Sequence, residues 1–233
     1  MTPALSSLHT VAHEALSRAQ LEALLAQSPG PFLFDAVDFA GEDLSRLDLS
    51  GSTFRSCNLA GTVFYAAKLM ETTWLSCRPA GKADFESADL TDAQFQGCDL
   101  NNSTWRRAKL ASASFRDCKL TGAQFEETSH LGLSFENTLL VGADLRKMNF
   151  RKLHLANLDF SEADLSGCDF RDTVFEGGSL RDAVMKLARF EGADLREVDI
   201  CGLKLGDAKL FKGATLSHRQ AAQLLSELGL KVV

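Results

Sequence analysis

A large apolar residue recurs at every fifth position over most of this 233-residue chain, and that spacing leaves few folds open. The series runs from Phe34 to Trp74, from Phe85 to Phe125 and, after an interruption at His130, from Phe135 to Leu210. We call this residue the centre of a five-residue unit; 14 of the 16 phenylalanines are centres, with Phe32 and Phe211 outside the series. Only 1 Tyr and 2 Trp accompany them, so the aromatics almost all lack a polar handle, as a dry interior requires. Two residues before the centre stands a small side chain (Ala83, Ala88, Ala93, Cys98, Ser103). One residue before it is polar, often Asp, and two after it Gly is common, which suits a turn of positive φ.

A period of five fits neither a helix, at about 3.6, nor a strand, at about 2. Each unit instead supplies one large and one small inward side chain and then turns. Such units stack through backbone hydrogen bonds at roughly 4.8 Å into a β-solenoid. The frame slips by one residue between Trp74 and Phe85, where Pro79 and Gly81 predict a bulge or small loop. At the second break, Glu126–Ser134, either His130 sits in a satisfied or distorted core position or Leu131 replaces it, and we expect distortion. Met148, Leu153 and Leu158 are oversized for the small slot, which predicts a swollen or bulged coil.

The ends read differently. Leu5, Leu8, Ala12, Ala15 and Leu16 make a helical stripe, and Ser17 with Gln20 makes a capping box ahead of Leu21, Leu24 and Leu25. Pro29-Gly30-Pro31 ends this segment, giving a helical cap over residues 1–31 ahead of a solenoid at 32–212. Residues 213–233 form a second helix and tail, with a capping box at Ser217 and Gln220 and a C-cap at Gly229. Its apolar residues Leu216, Ala221, Leu224, Leu225, Leu228 and Leu230 would cap the last coil or meet a second copy.

Little in the sequence carries catalytic chemistry. His9, His13 and Glu14 lack the HExxH spacing, and we find no nucleophile elbow, P-loop or dinucleotide fingerprint. We expect no catalytic residue, metal or cofactor. A net charge of −6 argues against direct nucleic-acid binding through bulk charge, and no apolar run is long enough to span a bilayer. The absence of a basic, then apolar, leader predicts a cytoplasmic protein.

The motif A-(D/N)-L/F-x-x resembles the pentapeptide-repeat family over about residues 32–212. That resemblance implies an all-β fold, a right-handed quadrilateral β-helix with four units per coil, here about nine coils and on the order of 40 Å long. With 20 residues per coil, Cys57 and Cys77 stack on one face, as do Cys98 and Cys118; with Cys168 they fill the small slot as buried, unreactive thiols. The same frame sorts the outward charges from residue 84 to 212. Two faces carry seven acids with six bases and five acids with seven bases, while the two adjacent remaining faces each carry five acids and two bases. Those acids are Asp117, Glu136, Glu176, Asp194 and Glu197 beside Asp99, Asp159, Glu162, Asp182 and Asp199. Solubility alone would place acids there, but an acidic stripe could also occupy a basic DNA-binding groove.

Within the family, Leu216–Val232 (LSHRQAAQLLSELGLKV) and residues 35–51 are similar to the group that protects DNA gyrase and topoisomerase IV from poisons, which includes Qnr, MfpA and self-immunity proteins of albicidin and microcin producers. The resemblance implies a non-enzymatic, homodimeric DNA mimic that binds a type II topoisomerase, dimerises through its C-terminus and confers resistance or self-immunity. Candidate projecting loops are Arg78, Pro79 and Lys82, and Ser129, His130 and Leu131. The chain departs from that group in its extra N-terminal residues, which leaves open a scaffold or effector with the N-terminal helices as docking element.

Overall fold

The computed structural model describes residues 9–28, 30–78, 80–203, 205–226 and 229–231. The fold is a β-solenoid of about eight turns with a short N-terminal and a C-terminal helix. Two compact units divide it, Met1–Ser134 and Phe135–Val233.

In the first unit, β1 (His9–Ala12), β2 (Phe32–Asp35), β3 (Thr53–Arg55), β4 (Thr73–Leu75), β5 (Gln94–Gln96) and β6 (Ser114–Arg116) lie in parallel, in that order. Phe34 pairs with Phe54 and Phe54 with Trp74, a step of 20 residues. Between strands, single bridges such as Asp38↔Asn58, Asp43↔Val63 and Asp48↔Lys68 add three more ladders, so each turn has four faces. The local cause is a repeated turn. The N–H two residues beyond the centre donates to the next coil (Gly41 to Ala60 O, 2.9 Å), and the next N–H closes back on the centre (Ala67 to Phe64 O, 3.0 Å). The former residue has positive φ whether it is Gly41 (+73°) or Arg46 (+63°). Glycine thus marks only some of these turns; elsewhere the ladder outweighs the roughly 1–2 kcal/mol a side chain costs in this region.

The centres stack into two aromatic columns. Phe34, Phe54, Trp74, Phe95 and Phe115 form one, with Trp74 3.9 Å from Phe54 and nearly coplanar. Phe64, Phe85, Trp105 and Phe125 form the other. The columns meet edge-on, at 88–90° between Trp74 and its neighbours Phe64 and Phe85, so offset stacking runs along each column and T-shaped contact across the core. Each indole N–H is satisfied inside: Trp74 donates to Thr72 Oγ1 (2.9 Å) and Trp105 to Ser103 Oγ (2.7 Å).

Three expectations need correction here. Residues 9–16 are not helical: β1 extends the sheet, and Val11 and Leu16 are buried five residues apart, as Val11 pairs with Phe34. Leu5 and Leu8 lie outside the described residues. α1 (Arg18–Gln27) does form behind the Ser17–Gln20 capping box and buries Leu21. The frame slip is smaller than a loop. Ala80, fully buried, takes the centre slot and its N–H reaches Asp99 O (3.0 Å), while Trp74 pairs with Phe95 across 21 residues. Pro79 itself lies outside the described residues. His130 holds its slot half-buried with the ladder intact (Leu110 N–H to Ser129 O, 2.7 Å), and Leu131 does not replace it, being 87% exposed.

The second unit starts at Phe135, inside β7 (Ser134–Glu136), and holds β8 (His154–Ala156) and β9 (Val174–Glu176), which pair in parallel. No bulge appears at the oversized residues: Met148 O and Leu158 O accept from Asp169 and Ser179 in normal register. Leu158 is buried, with Gly178 packed against its backbone so closely that a Cβ there would overlap it, and Leu153 stays 37% exposed. At the end of the repeat, a 3₁₀ helix (Leu205–Phe211) inserts one residue. Phe211, not Leu210, therefore stacks on Phe190 (4.6 Å), completing the column Phe150–Phe170–Phe190. α2 (His218–Ser226) follows. Its one buried residue is Gln220, whose Nε2 donates to Leu195 O (2.6 Å) and Val198 O (2.8 Å) while its Oε1 accepts from Ser217 N–H (2.7 Å).

Candidate interaction surface

Eight of the ten acids singled out on the two acidic faces belong to the second unit, and only Asp99 and Asp117 to the first. In the second unit these faces are built over the centres Phe135, Leu155, Phe175 and Leu195 and over Leu140, Phe160, Leu180 and Ile200. They carry Glu136, Glu176, Asp194, Glu197, Asp159, Glu162, Asp182 and Asp199 against Arg196 and Arg181.

The carboxylates fall into two groups by slot. Those one residue before the centre accept the N–H two residues on and lock the turn: Asp159 from Ser161 (2.9 Å), Asp194 from Arg196 (3.2 Å), Asp199 from Cys201 (2.9 Å), Asp99 from Asn101 (3.4 Å). The Arg196 guanidinium holds the Asp194 carboxyl below the usual carboxylate range. The Cys201 N–H, then Arg181, do the same for Asp199. The second group stands after the centre. Of these, Glu162, Glu176, Asp182 and Glu197 are exposed, Glu136 is half-buried, and Glu176 meets His154 Nδ1 (2.9 Å). Asp117, in the first unit, is exposed at a positive-φ turn.

The candidate loops do not converge. Arg78 folds back onto Gly97 O (3.1 Å), Lys82 occupies an ordinary turn, and Ser129 pairs with Lys109. His130 Nδ1 faces Thr128 O (3.1 Å), and Leu131 projects, 87% exposed. On the C-terminal segment Leu216 and Leu224 are half-buried, and Ala221, Leu225 and Leu230 are exposed; Leu228 lies outside the described residues.

The cysteines Cys57, Cys77, Cys98, Cys118 and Cys168 are buried and free. Each thiol points at a carbonyl of the neighbouring coil, as Cys57 Sγ does at Phe34 O (3.3 Å) and Cys168 Sγ at Leu145 O (3.1 Å). Burial pushes the Cys168 thiol up to about 12. Among the described residues no cluster of three His, Cys, Asp or Glu could hold a metal, and no helix is long and apolar enough to cross a membrane.

Two features lie outside the sequence-based expectations. Gln220 looked like half of a capping box, and nothing marked it as the cap of the solenoid. Leu187 stands in a turn slot that holds Gly, Ala or a polar residue elsewhere, and Val184 fills a usually polar slot that it shares as an apolar residue with Val63, Leu139 and Val174, a departure visible once the frame is laid out.

The repeat geometry and the comparisons agree on a class. The family model for the pentapeptide repeat region matches residues 32–105 and 88–156, and that for pentapeptide repeats (8 copies) matches 168–207. The chain belongs to the pentapeptide-repeat family. No curated protein sequence matches it. Among solved structures it is similar to QnrB1, a plasmid-mediated fluoroquinolone resistance protein. A trypsin-treated form matches with a TM-score of 0.64 and 24% identity over 97% of this chain and 98% of that one. Full-length QnrB1 matches at 0.62 and 22% over 96% and 98%, and a second trypsin-treated form at 0.53 and 21% over 97% and 98%.

Proposed function

We propose that this protein is a non-enzymatic, cytoplasmic binding protein that docks on a type II topoisomerase, DNA gyrase or topoisomerase IV, and protects it from a poison. The observation that carries this reading is the second unit's pair of adjacent faces, where eight carboxylates face two arginines. A surface of that sign suits the basic groove in which a topoisomerase holds DNA. The similarity of Leu216–Val232 to the topoisomerase-protecting group and the fold shared with QnrB1 support the same partner. The half-exposed leucines of α2, a helix anchored through Gln220, suit pairing with a second copy.

The alternative of a docking element in the N-terminal helix is less favoured. Glu42 accepts the Arg18 N–H (2.8 Å), the Arg18 guanidinium donates to Asp43 O (2.7 Å), and Leu21 is buried. α1 is thus engaged as a cap. The test is direct: purified protein added to gyrase and topoisomerase IV should bind and relieve poison-induced DNA cleavage. Neither binding nor any change in supercoiling or poisoned cleavage would end this reading.

A further inference from the structure

Leu187 breaks the turn rule of the repeat, which elsewhere places Gly, Ala or a polar residue two after the centre, and Val184 beside it is one of a few apolar residues in a slot that is otherwise polar. Val184 fills the slot held by Asp144 and Asp164 in the two coils below, and Leu187 the turn slot held by Lys147 and Gly167. Val184 is 52% and Leu187 74% exposed. Leu187 has φ +61°, a conformation that costs a branched side chain roughly 1–2 kcal/mol and favours Gly or Asn. With most of its surface in water, it regains little by burial. A residue that burdens folding and gains nothing from it points to a contact outside the fold.

What lies above these residues gives that contact a shape. The next coil abandons the flat unit for the 3₁₀ helix Leu205–Phe211. A groove of about 560 Å³ opens between them, lined by Val184, Leu187, Leu203 and Leu210, with Lys186 and Lys209 at its edge. Lys147 adds a third cation, its stem lying against the Gly167 turn one coil below Leu187. Among the described residues the ion pairs of this corner use Arg146, Arg151, Arg171 and Arg189, and none uses Lys147, Lys186 or Lys209. Of the carboxylates bordering the groove, Asp182 lies over the Gly202 turn and beside Arg181, which leaves Asp207 against three lysines.

We propose that this groove docks a short acidic segment of a partner protein, two of whose apolar side chains cover Val184 and Leu187 while its carboxylates meet Lys147, Lys186 and Lys209. The site shares only Asp182 with the acids of the acidic faces and does not rest on the topoisomerase reading. The full chain is panned against a displayed library of random short peptides, and the selected peptides are measured by fluorescence anisotropy. Selected peptides should be rich in Asp and Glu with paired apolar residues, and should weaken at high salt. Leu187→Gly should reduce their affinity at least about tenfold while raising thermal stability, since glycine relieves the strained turn. A separate Lys147/Lys186/Lys209→Glu variant should abolish binding. An absence of enriched peptides, enrichment of basic ones, or equal binding by Leu187→Gly would overturn the proposal. So would a self-association or binding to anionic vesicles that Leu187→Gly removes, because the occupant would then be a second copy or a lipid surface.

Discussion

Reversing the projecting acids Glu162, Glu176 and Glu197 to Lys tests whether the acidic faces bind. Eight carboxylates and two guanidinium groups give the two faces of the second unit a formal charge of 2 − 8 = −6, and three reversals of two charges each bring it to 0. All three side chains are exposed, and none clamps a turn as Asp159, Asp194 and Asp199 do, so the fold should be unaffected. A carboxylate about 5 Å from a partner cation in water gains about 0.8 kcal/mol, and reversal doubles the difference to about 1.6. Three such changes come to about 5 kcal/mol unscreened, and screening over a Debye length of about 8 Å cuts this to about 2–3 kcal/mol near 0.15 M salt. Topoisomerase affinity should therefore fall on the order of 50- to 100-fold at that salt. The deficit should shrink towards about 1 M, where the screening length is about 3 Å. The control reverses Glu127, Asp172 and Glu191, exposed acids on the other two faces that likewise follow the centre. If the first variant, folded by circular dichroism, binds with unchanged affinity, or if the control loses as much, the acidic faces are not the binding surface.

The remaining predictions concern the scaffold. Alanine at Gly41 meets nothing within 4 Å and should cost only the strain of positive φ, about 1–2 kcal/mol. At Gly178 the added methyl would overlap the Leu158 backbone, and the cost should exceed about 3 kcal/mol by urea titration. Equal costs would show that coil spacing is elastic. Gln220→Leu strands the Leu195 and Val198 carbonyls, at about 1–3 kcal/mol each, and should melt α2 before the sheet in hydrogen exchange. Asp144, Asp169 and Asp194 have carboxyls held below the ordinary 3.8 by Arg146, Arg171 and Arg196 respectively. Their contribution is present above that value and lost as pH falls below it. Acid titration of Asp169→Asn should show a shallower loss than wild type over that window.

The interior was legible because it repeats: a Phe or Leu every fifth residue specifies a stacked column whatever lies outside it. What the frame hid were places where a single residue changes the count. The β1 rung carries the same period, with Val11 and Leu16 buried five residues apart, but among the described residues only those two centres precede α1. Two apolar residues at that spacing also suit a helical stripe, and the pairing of Val11 with Phe34 decides between them. The slip before Phe85 is visible in the spacing, and Pro and Gly there suit a bulge or a small loop; the structure has the one-residue bulge, with Ala80 in the core slot. The extra residue that promotes Phe211 over Leu210 left no mark in the five-residue spacing itself.

For the candidate surface, the repeat separates acids the fold needs from acids it does not. An Asp before the centre accepts the N–H two residues on, and would be there in a solenoid that bound nothing: Asp38, Asp43, Asp84 and Asp164 make that bond as Asp194 does. Their number inflates any tally of acidic surface. Glu162, Glu176, Asp182 and Glu197 stand beyond the centre, where Ser, Gly, Lys and Arg serve elsewhere, and the turn is made without their charge. Folding therefore accounts for the first group and leaves the second to be explained by what meets the surface. A partner that reads the acidic faces should be sensitive to the second group directly. It should feel Asp194 and Asp199 less, because their charge is already shared with Arg196 and Arg181.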